Sequence, residues 1–595
     1  MIGPAALWRN ARLRFNPTER QRLFGLTIAI GGVCGLAAVG FHLAIRAVER
    51  HAIDRAFAAP GSTWIGWVVL VPAAGALLTG LVLHFWAPGV RGSGIPQVKV
   101  AYTLGGGRMR LRDAVAKFAL GSVQIGTGSS LGREGPTVQI CAGVASWMGR
   151  IGGISAQNLR LLLPVGAAAG VAAAFNAPIA AVTFTIEEII GTLDPTMLSG
   201  VVVAAAFAAV VEHGVLGTNP VLAIPSGYQL DHASSLVIYA ALGIAAGLVA
   251  LAFSSALLAV RGWFARLAWL PAWARPAVGG LAAGVIAVAA MLAVAHRGID
   301  GGGYAVLTEA LSGQVAFRAM AVLGLLKLLA TVCSYGSGGA GGLFAPSLFI
   351  GGMLGGLFGA LDVAVFGHPS AQVGSFALVG MGAVFAGTIR APITSILIIM
   401  EMTGGYSLAL PLMIANVTAY ALARHVRPVP IYDALLRQDG IDLHPAVSGD
   451  DLDGLATPAL PLEAEPPLWF APDAGAERLL AAAADVERQE LFPVVDGSGR
   501  LVGVITLADL TALAAVRDVG DLVRAVDLMR PPVALRPGDP ASRALSVMHE
   551  HGLRQLPVVD AAGRVLGLVD EVTIAHAFLQ ARRAAAAVRP PEAAP

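Results

Sequence analysis

The sequence has little charge for its length. Asp, Glu, Lys and Arg make up 13% of its 595 residues, whereas hydrophobic residues make up 56% and the mean hydropathy is +0.71. Soluble globular chains carry about 25% charged residues, so this composition predicts an integral membrane protein with many spans. The formal net charge is only +2 and no dense basic block occurs, so no nucleic-acid partner is expected.

Cysteine is also scarce, which excludes further classes. Cys34, Cys141 and Cys333 lie among apolar or small residues, without CxxC or Cys/His metal spacing. Neither a disulfide framework nor a metal site is expected. No nucleophile–base triad is evident in the sequence, so we predict no enzymatic activity.

A basic cluster precedes the first apolar run, which begins near Leu23. No cleavable signal peptide is visible, and the positive-inside rule predicts a cytoplasmic N-terminus. The cluster consists of Arg9, Arg12, Arg14, Arg20 and Arg22.

Apolar runs fill most of residues 23–424, but they differ in length. Long runs cover about 23–47, 62–86, 198–212, 235–260, 276–295, 317–333 and 407–423. Shorter runs, broken by Gly and Pro, cover 135–149, 162–175, 178–190, 344–366 and 391–402. A membrane-spanning helix needs about 20 residues, so the short runs predict broken helices that stop part-way. Such backbone is tolerated only where it lines a cavity or is buried in protein.

The apolar region contains an internal repeat. The stretch FNAPIAAVTFTIEEI at 175–189 resembles IRAPITSILIIMEMT at 389–403. Pro178 matches Pro392 and Glu187 matches Glu401 at one common offset, and Pro136 matches Pro346 at nearly the same offset. We therefore expect two related halves, about 23–215 and 230–435, with a transport site at their interface.

The composition changes after Tyr432, where charges and prolines become more frequent. LFPVVDGSGRLVGVITLADL at 491–510 matches QLPVVDAAGRVLGLVDEVTI at 555–574. Each copy predicts a helix, two strands joined by a Gly turn, and a second helix. The expected organisation is a cytoplasmic segment 1–22, a transmembrane domain 23–435, a linker 436–455, two cytoplasmic repeats 456–516 and 526–582, and a disordered tail 583–595.

Four stretches predict helix N-termini inside the apolar region. They are GSGIPQVK at 92–99, GREGPTVQ at 132–139, GGLFAPSL at 341–348 and RPVPIYDALL at 427–436. Proline belongs in the first turn of a helix, and glycine permits the tight turn before it. A helix N-terminus exposes four N–H groups and carries roughly +0.5 charge. Converging N-termini therefore predict an anion site that has no lysine or arginine ligand. Because no full positive charge holds the anion, such a site would also allow the anion to leave.

These residues resemble the CLC family of chloride channels and chloride/proton exchangers. The motifs are GSGIP at 92–96, GREGP at 132–136, GGLFAP at 341–346, the tyrosine at 432 and GAAAGVAAAFNAPIAAVTFTIEE at 166–188. The C-terminal repeat is similar to a pair of CBS domains. The resemblance implies an all-α polytopic membrane fold of two inverted repeats with broken helices, followed by α/β tandem CBS domains. It also implies a homodimer in a bacterial inner membrane, with lipid, chloride and protons as partners and no required cofactor.

The resemblance also implies roles for individual residues. The chloride-binding residues would be Ser93 and Tyr432 through their hydroxyls, Leu343 and Phe344 through their backbone amides, and Gly135. Ser93 stands where nitrate-preferring relatives have proline, which favours chloride.

The same resemblance makes Glu134 the outer gating glutamate and Glu188 the inner proton-transfer glutamate, while Lys117 and Arg133 would shape the electrostatics of the pathway. A carboxylate within a membrane costs on the order of 3 kcal/mol, so Glu134 needs a reason to be there. At a helix start it can occupy the place of an anion, and protonation releases it.

Alternatives remain at each of these positions. Glu134 could be a helix cap paired with Arg133, and Glu187 and Glu188 could be ordinary interface glutamates; for Glu401 a structural role is expected. The predicted function is proton-coupled chloride/proton antiport. Its alternatives are a passive voltage- or pH-gated chloride channel of the same fold and a membrane-anchored CBS nucleotide sensor.

Thr506 and Asp509 form a T-x-x-D pattern that would hold a ribose and phosphate. The aligned residues of the second copy are Asp570 and Thr573, so at most one adenosine-nucleotide site is predicted. A structural or dimerising role of the CBS pair is the alternative.

Overall fold

The structure is a computed structural model that describes residues 19–191, 195–217, 222, 232, 234–369, 372–443, 467–484, 489–515 and 523–574. It divides into two compact units, Met1–Leu443 and His444–Pro595. Most of the predicted N-terminal segment and linker, and the whole predicted tail, lie outside the described residues.

The described part of the first unit is helical. Its first half contains α1 Glu19–His51, α2 Ile53–Phe57, α3 Thr63–Phe85, α4 Ile95–Thr103, α5 Leu111–Gly126, α6 Glu134–Ile151, α7 Ala156–Leu159, α8 Leu162–Phe175, α9 Pro178–Phe184 and α10 Pro195–Leu216. A 3-10 turn covers Pro88–Val90, and a π-helical turn over Thr185–Ile190 extends α9. The second half contains α11 Ser235–Arg266, α12 Arg275–Val294, α13 Tyr304–Leu311, α14 Phe317–Gly336, α15 Phe344–Phe366, α16 Val373–Ile389, α17 Pro392–Thr403, α18 Ala409–Val426 and α19 Ile431–Gln438.

Within the described residues, seven segments are long and apolar enough to cross a membrane. They are Arg22–Phe57, Thr63–Phe85, Met197–Leu216, Ser235–Arg266, Arg275–Val294, Phe317–Gly336 and Phe344–Phe366. Shorter apolar helices cover Leu162–Phe175, Val373–Ile389 and Pro392–Thr403, as their interrupted sequences predict. The predicted polytopic helical fold is therefore confirmed.

The prediction of a broken helix over 344–366 was wrong. The segment forms one helix of 23 residues, α15. Its glycines are used for packing: a Cβ atom at Gly351 would lie 2.8 Å from the Met381 Cα atom, and one at Gly359 would lie 2.8 Å from the Val373 Cα atom. Small residues let two helix backbones approach closely in a membrane, so they favour contact with α16 here without interrupting α15.

The two halves meet at the starts of α6 and α15. The Gly132 N–H donates to the Gly342 carbonyl at 2.8 Å, and the Gly342 N–H donates to the Gly132 carbonyl at 2.7 Å. A Cβ atom at Gly342 would lie 3.0 Å from both the Gly132 oxygen and the Gly135 nitrogen. Glycine therefore allows two helix N-termini, one from each half, to lie against each other.

The second unit contains two copies of one small motif. The first copy consists of α20 Ala476–Ala484, β1 Leu491–Val495, β2 Leu501–Thr506 and α21 Leu507–Ala515, and it is followed by α22 Ala525–Leu528. The second copy consists of α23 Ala541–His551, β3 Gln555–Val559 and β4 Val565–Asp570. Strands β1 and β2 pair antiparallel, as do β3 and β4.

The strand register confirms the repeat. Leu491 pairs with Thr506 in the first sheet and Gln555 with Asp570 in the second, and each ladder shifts register at the last residue of its first strand. The Gln555 Oε1 atom accepts hydrogen bonds from the N–H groups of Glu490 at 2.7 Å and Leu491 at 3.2 Å. These bonds connect the two copies, and the predicted α/β tandem repeat is confirmed.

Candidate anion pathway

Glu134 is the first residue of α6, and its side chain is fully buried. Its Oε1 atom accepts a hydrogen bond from the Tyr304 hydroxyl at 2.6 Å, and its Oε2 atom accepts a 3.4 Å bond from the Ala345 N–H. Ala345 is the second residue of α15, so the carboxylate lies at the helix start of the opposite half. A Cβ atom at Gly132 would collide with Oε2, so this position depends on glycine. Arg133, the partner in the alternative interpretation of Glu134 as a paired helix cap, does not bind the carboxylate among the described contacts.

Ser93 and Tyr432 approach the same region from two other helix starts. Ser93 precedes α4, Tyr432 is the second residue of α19, and both side chains are fully buried. Their hydroxyls lie near each other without hydrogen-bond geometry, and neither has a hydrogen-bond partner in the described chain. Buried hydroxyls without partners cost free energy, so these two groups fit an anion that accepts hydrogen bonds from both.

The starts of α6 and α15 complete this arrangement. A Cβ atom at Gly135 would collide with the Ser93 hydroxyl, so Ser93 packs directly against the beginning of α6. Leu343 is the N-cap of α15 and Phe344 is its first residue, where a helix leaves N–H groups without intrahelical partners. The structure therefore brings Ser93, Gly135 and Tyr432 together, with Glu134 on the same helix start as Gly135.

An aromatic cluster surrounds the Phe344 ring at the start of α15. The ring centroid lies 5.9 Å from that of Phe175, 5.1 Å from that of Phe184 and 4.9 Å from that of Phe385. These rings come from α8, α9 and α16, so they hold the α15 start in a rigid apolar setting.

Lys117 is fully buried and bonded to backbone carbonyls. Its Nζ atom donates to the Val90 oxygen at 2.8 Å and to the Gly92 oxygen at 2.5 Å. The ammonium group therefore anchors the loop that presents Ser93.

Lys327 is the counterpart of Lys117 in the second half. It donates to the carbonyls of Gly298 at 3.1 Å, Ile299 at 2.9 Å and Gly301 at 2.7 Å. That loop leads into α13, whose first residue is Tyr304. The sequence reasoning missed Lys327, although it stands at the same offset from Lys117 as Pro346 does from Pro136.

Glu188 lies in the π-helical turn and is buried. Its Oε1 atom forms an ion pair with the Lys99 ammonium at 2.9 Å, and Lys99 also binds the Asp433 Oδ1 atom at 2.6 Å. Lys99 lies on α4 and Asp433 on α19, the two helices that begin near Ser93 and Tyr432. One buried lysine thus connects Glu188 to both helices, a contact that sequence reasoning missed.

The neighbouring Glu187 points elsewhere. Its carboxylate accepts hydrogen bonds from the N–H groups of Ile393 at 3.1 Å and Thr394 at 2.8 Å, at the start of α17. The Thr394 hydroxyl adds a third bond at 2.7 Å. Glu187 is therefore a helix cap supplied by the other half, and only Glu188 faces Lys99.

Glu401 makes the reciprocal contact. Its carboxylate accepts hydrogen bonds from the N–H groups of Ile179 at 3.0 Å and Ala180 at 2.7 Å, at the start of α9. The structural role predicted for Glu401 agrees with these contacts.

Two cavities approach the pathway. One of about 740 Å³ is lined by Arg133, Tyr304, Arg297 and Asp300 among other residues. A second, of about 600 Å³, is lined by Arg91, Gly92, Tyr335 and Arg261 among others. Arg133 donates to the Ala174 carbonyl at 3.3 Å, and its guanidinium carbon lies 6.0 Å from the centre of the Tyr304 ring. The first cavity therefore reaches the Glu134 partner Tyr304, and the second reaches the Ser93 loop.

The Thr506 and Asp509 pattern in the first CBS copy is occupied by internal contacts. Asp509 Oδ2 accepts hydrogen bonds from the Thr506 N–H at 2.9 Å and hydroxyl at 2.6 Å, while Oδ1 pairs with Arg530 at 2.7 Å. Partial burial by itself would raise the pKa of Asp509, but the bonds from Arg530 and Thr506 outweigh it and hold that pKa below its ordinary value.

Comparison with known proteins identifies the family. The sequence model of the voltage-gated chloride channel family matches residues 74–424, and the CBS domain model matches residues 464–515 and 519–580. The first match spans more than half of the chain. The chain therefore belongs to the CLC family, and it carries a tandem CBS pair on its C-terminal side.

Individual relatives and structures agree with this assignment. The chain is 34% identical over 435 residues to a ClcB-like chloride channel protein of Ralstonia nicotianae, covering 71% of this chain and 100% of the relative. It is 32% identical over 427 residues to the H(+)/Cl(-) exchange transporter ClcA of Vibrio campbellii, covering 71% and 90%. The structure of a slow cyanobacterial Cl−/H+ antiporter matches with a TM-score of 0.64 at 27% identity, covering 71% and 99%. A eukaryotic CLC transporter shares the fold over 92% of this chain and 97% of its own, with a TM-score of 0.64 at 20% identity.

Proposed function

We propose that the protein exchanges chloride for protons across a membrane and that Glu134 is its outer gate. The observation that carries this proposal is the buried Glu134 carboxylate, which accepts a backbone hydrogen bond at the start of α15. A carboxylate and a chloride ion both accept such bonds, so they compete for one position. Protonation removes the charge of the carboxylate and releases it, which couples proton binding to anion entry. Relatives named as H(+)/Cl(-) exchange transporters support the same activity.

In this mechanism chloride binds between Ser93 and Tyr432. Both hydroxyls are buried without partners in the described chain, and the N–H groups of Gly135, Leu343 and Phe344 complete the set of donors. Lys117 acts on this site through the backbone, because its ammonium fixes the loop before Ser93. A site built without a direct lysine or arginine ligand leaves binding weak enough for release.

Glu188 is the proposed inner proton carrier. Its carboxylate lies beside Lys99, close to the helices that bear Ser93 and Tyr432 but bonded to neither hydroxyl. A proton therefore has an acceptor that is separate from the chloride ligands. Arg133 lines the first cavity, of about 740 Å³, which we propose opens to the outer side, and its positive charge there attracts chloride.

The assembly and orientation are part of the same proposal. We propose a homodimer in the bacterial inner membrane with cytoplasmic termini. Ile179 on α9 and Ile393 on α17 occupy matching positions of the internal repeat, and they are 54% and 57% exposed. A second copy would cover this apolar surface, and cross-linking of the purified protein in lipid tests for the dimer.

The deciding experiment uses the full-length protein in lipid vesicles under a chloride gradient without a proton gradient. Uphill proton movement is expected in the natural protein. Glu134→Ala should leave chloride flux that no longer depends on pH or drives protons, and Glu188→Ala should abolish proton transport while chloride still flows. The matched control is Glu187→Gln, which keeps an acceptor at the α17 start and should remain coupled. Chloride flux in the natural protein without proton movement would instead define a passive channel.

Nucleotide binding at Thr506 and Asp509 is a separate proposal for the CBS pair. A ribose would have to replace Arg530 at the Asp509 Oδ1 atom, because that atom forms the 2.7 Å ion pair. Adding ATP to the purified protein should raise its melting temperature, and Asp509→Ala should remove that rise. No change with ATP would leave the CBS pair a structural or dimerising role.

A further inference from the structure

Tyr304 separates the buried Glu134 carboxylate from the cavity of about 740 Å³. The residue is partly exposed and lines that cavity, whereas Glu134 is fully buried behind it. Its hydroxyl donates to the Glu134 Oε1 atom at 2.6 Å, which is shorter than the 3.4 Å bond from the Ala345 N–H to Oε2. The phenol is therefore the nearer of the two donors that hold the carboxylate.

The loop before Tyr304 is held in the same way as the loop before Ser93. Ser93 directly precedes Gly94 (φ +102), the N-cap of α4, whereas Tyr304 directly follows Gly303 (φ +78), the N-cap of α13. Each preceding loop is held by a buried lysine, Lys117 or Lys327. The two halves of the protein thus each present one hydroxyl to the anion pathway from a lysine-anchored loop.

The Tyr304 ring is also held on its faces. A Cβ atom at Gly302 would lie 2.9 Å from the ring and 3.2 Å from the Ala345 Cβ atom, so the ring packs close to the start of α15. The Arg133 guanidinium lies 6.0 Å from the ring centre. The ring thus packs near the start of α15, and the one Glu134 carboxylate accepts from both the phenol O–H and the Ala345 N–H, so an anion that replaces the carboxylate would meet the same two donors.

We propose that Tyr304 is an anion ligand at the position that the Glu134 carboxylate occupies at the α15 start. Its O–H would donate in turn to the Glu134 carboxylate and to the transported chloride. When Glu134 is ionised, the phenol donates to it. When Glu134 is protonated and leaves, the same O–H donates to chloride at the α15 start. The proposal rests on the proposed role of Glu134 as the gate and adds a side-chain donor to the anion position that the gate vacates.

The test compares chloride affinity in two backgrounds, using titration calorimetry of the full-length protein with chloride. Tyr304→Phe removes one oxygen and keeps the ring contacts, so it should fold normally. In the Glu134→Ala background, adding Tyr304→Phe should weaken chloride binding about tenfold, as expected for one lost hydrogen bond to an ion. Tyr420→Phe in the same background, which removes a hydroxyl that contacts Arg424 on α18, is the matched control and should leave the affinity unchanged.

A second measurement uses Tyr304→Phe alone in vesicles, where chloride turnover should rise because the gate loses its nearer donor. Unchanged affinity in the double variant would overturn the proposal, even if turnover rises, because Tyr304 would then only hold Glu134. Such a result would not contradict the proposed role of Glu134 as the gate. The proposed function would instead fail if Glu134→Ala alone kept the pH dependence and coupling of the natural protein.

Discussion

Removing the Glu401 carboxylate should destabilise the membrane unit without uncoupling transport. The carboxylate caps α9 through the N–H groups of Ile179 and Ala180, at 3.0 and 2.7 Å. A hydrogen bond to a charged group contributes about 1.5–3 kcal/mol when it is buried, and less where water can replace it. Both N–H groups lie in the membrane unit, so we assign the lower limit of this range, about 1.5 kcal/mol, to each bond.

Glu401→Ala should therefore lower the free energy of unfolding by about 3 kcal/mol. Glu401→Gln should lower it by about half as much, since the amide oxygen can still accept one hydrogen bond, although without the negative charge. Unfolding entropy is about 2.1 cal/mol/K per residue, or roughly 0.9 kcal/mol/K for a unit of this length. The expected drop in melting temperature is about 3 °C for Glu401→Ala. Glu187→Ala should cost somewhat more, because Glu187 also accepts from the Thr394 hydroxyl.

The assay is thermal unfolding of the purified full-length protein in detergent, with vesicle transport measured on the same samples. Glu477→Ala, an exposed glutamate on α20, is the control and should leave the melting temperature unchanged. An unaltered melting temperature in Glu401→Ala would refute the cap. Loss of proton coupling in Glu401→Gln at normal stability would show that Glu401 carries protons, against the geometry described above.

Three further perturbations follow from buried and paired charges. Lys99→Gln leaves Glu188 without its cation and should raise chloride flux relative to proton flux in vesicles; an unchanged ratio would contradict the link between Glu188 and the inner helices. Lys327→Met leaves three buried carbonyls without a hydrogen-bond donor and should lower the free energy of unfolding by at least about 3 kcal/mol. The expected drop in melting temperature is larger than that of Glu401→Ala. The pKa of Asp509 is lowered in the folded protein, so its pair with Arg530 stabilises the CBS unit above about pH 4, the ordinary pKa of an aspartate. This stabilisation is lost as the pH falls through the lowered pKa. Arg530→Ala should therefore flatten the acid dependence of CBS unfolding in calorimetry of the full-length protein, and an unchanged acid limb would refute the pair.

The helix starts around the anion pathway could be predicted because their causes are local. Glycine before a turn and proline in a first turn mark the beginnings of α4 and α15 directly in the sequence. The buried charge of Glu134 in an apolar chain also needs no structure to be noticed. The two-strand motif of the CBS copies follows from alternating apolar residues around a Gly turn, which is again a local signal.

The partners of these residues could not be predicted, because they depend on long-range packing. Tyr304 lies 170 residues from Glu134 in the chain, and Lys99 lies 89 residues from Glu188. The same limit applies to Glu187, whose direction is set by a π-helical turn that sequence periodicity does not reveal. Lys327 was accessible in principle, since the repeat offset points to it from Lys117.

The two buried lysines show what the two halves share and where they differ. The ammonium groups of Lys117 and Lys327 bind backbone oxygens, so they constrain the course of a loop and place no demand on the side chain that follows it. The hydroxyl beside each loop differs: a small alcohol, Ser93, lies before the N-cap of α4 in one half, and a phenol, Tyr304, is the first residue of α13 in the other. Two loops held by the same kind of buried contact can in this way support unequal chemistry, one beside the Ser93 hydroxyl and the other beside the Glu134 carboxylate.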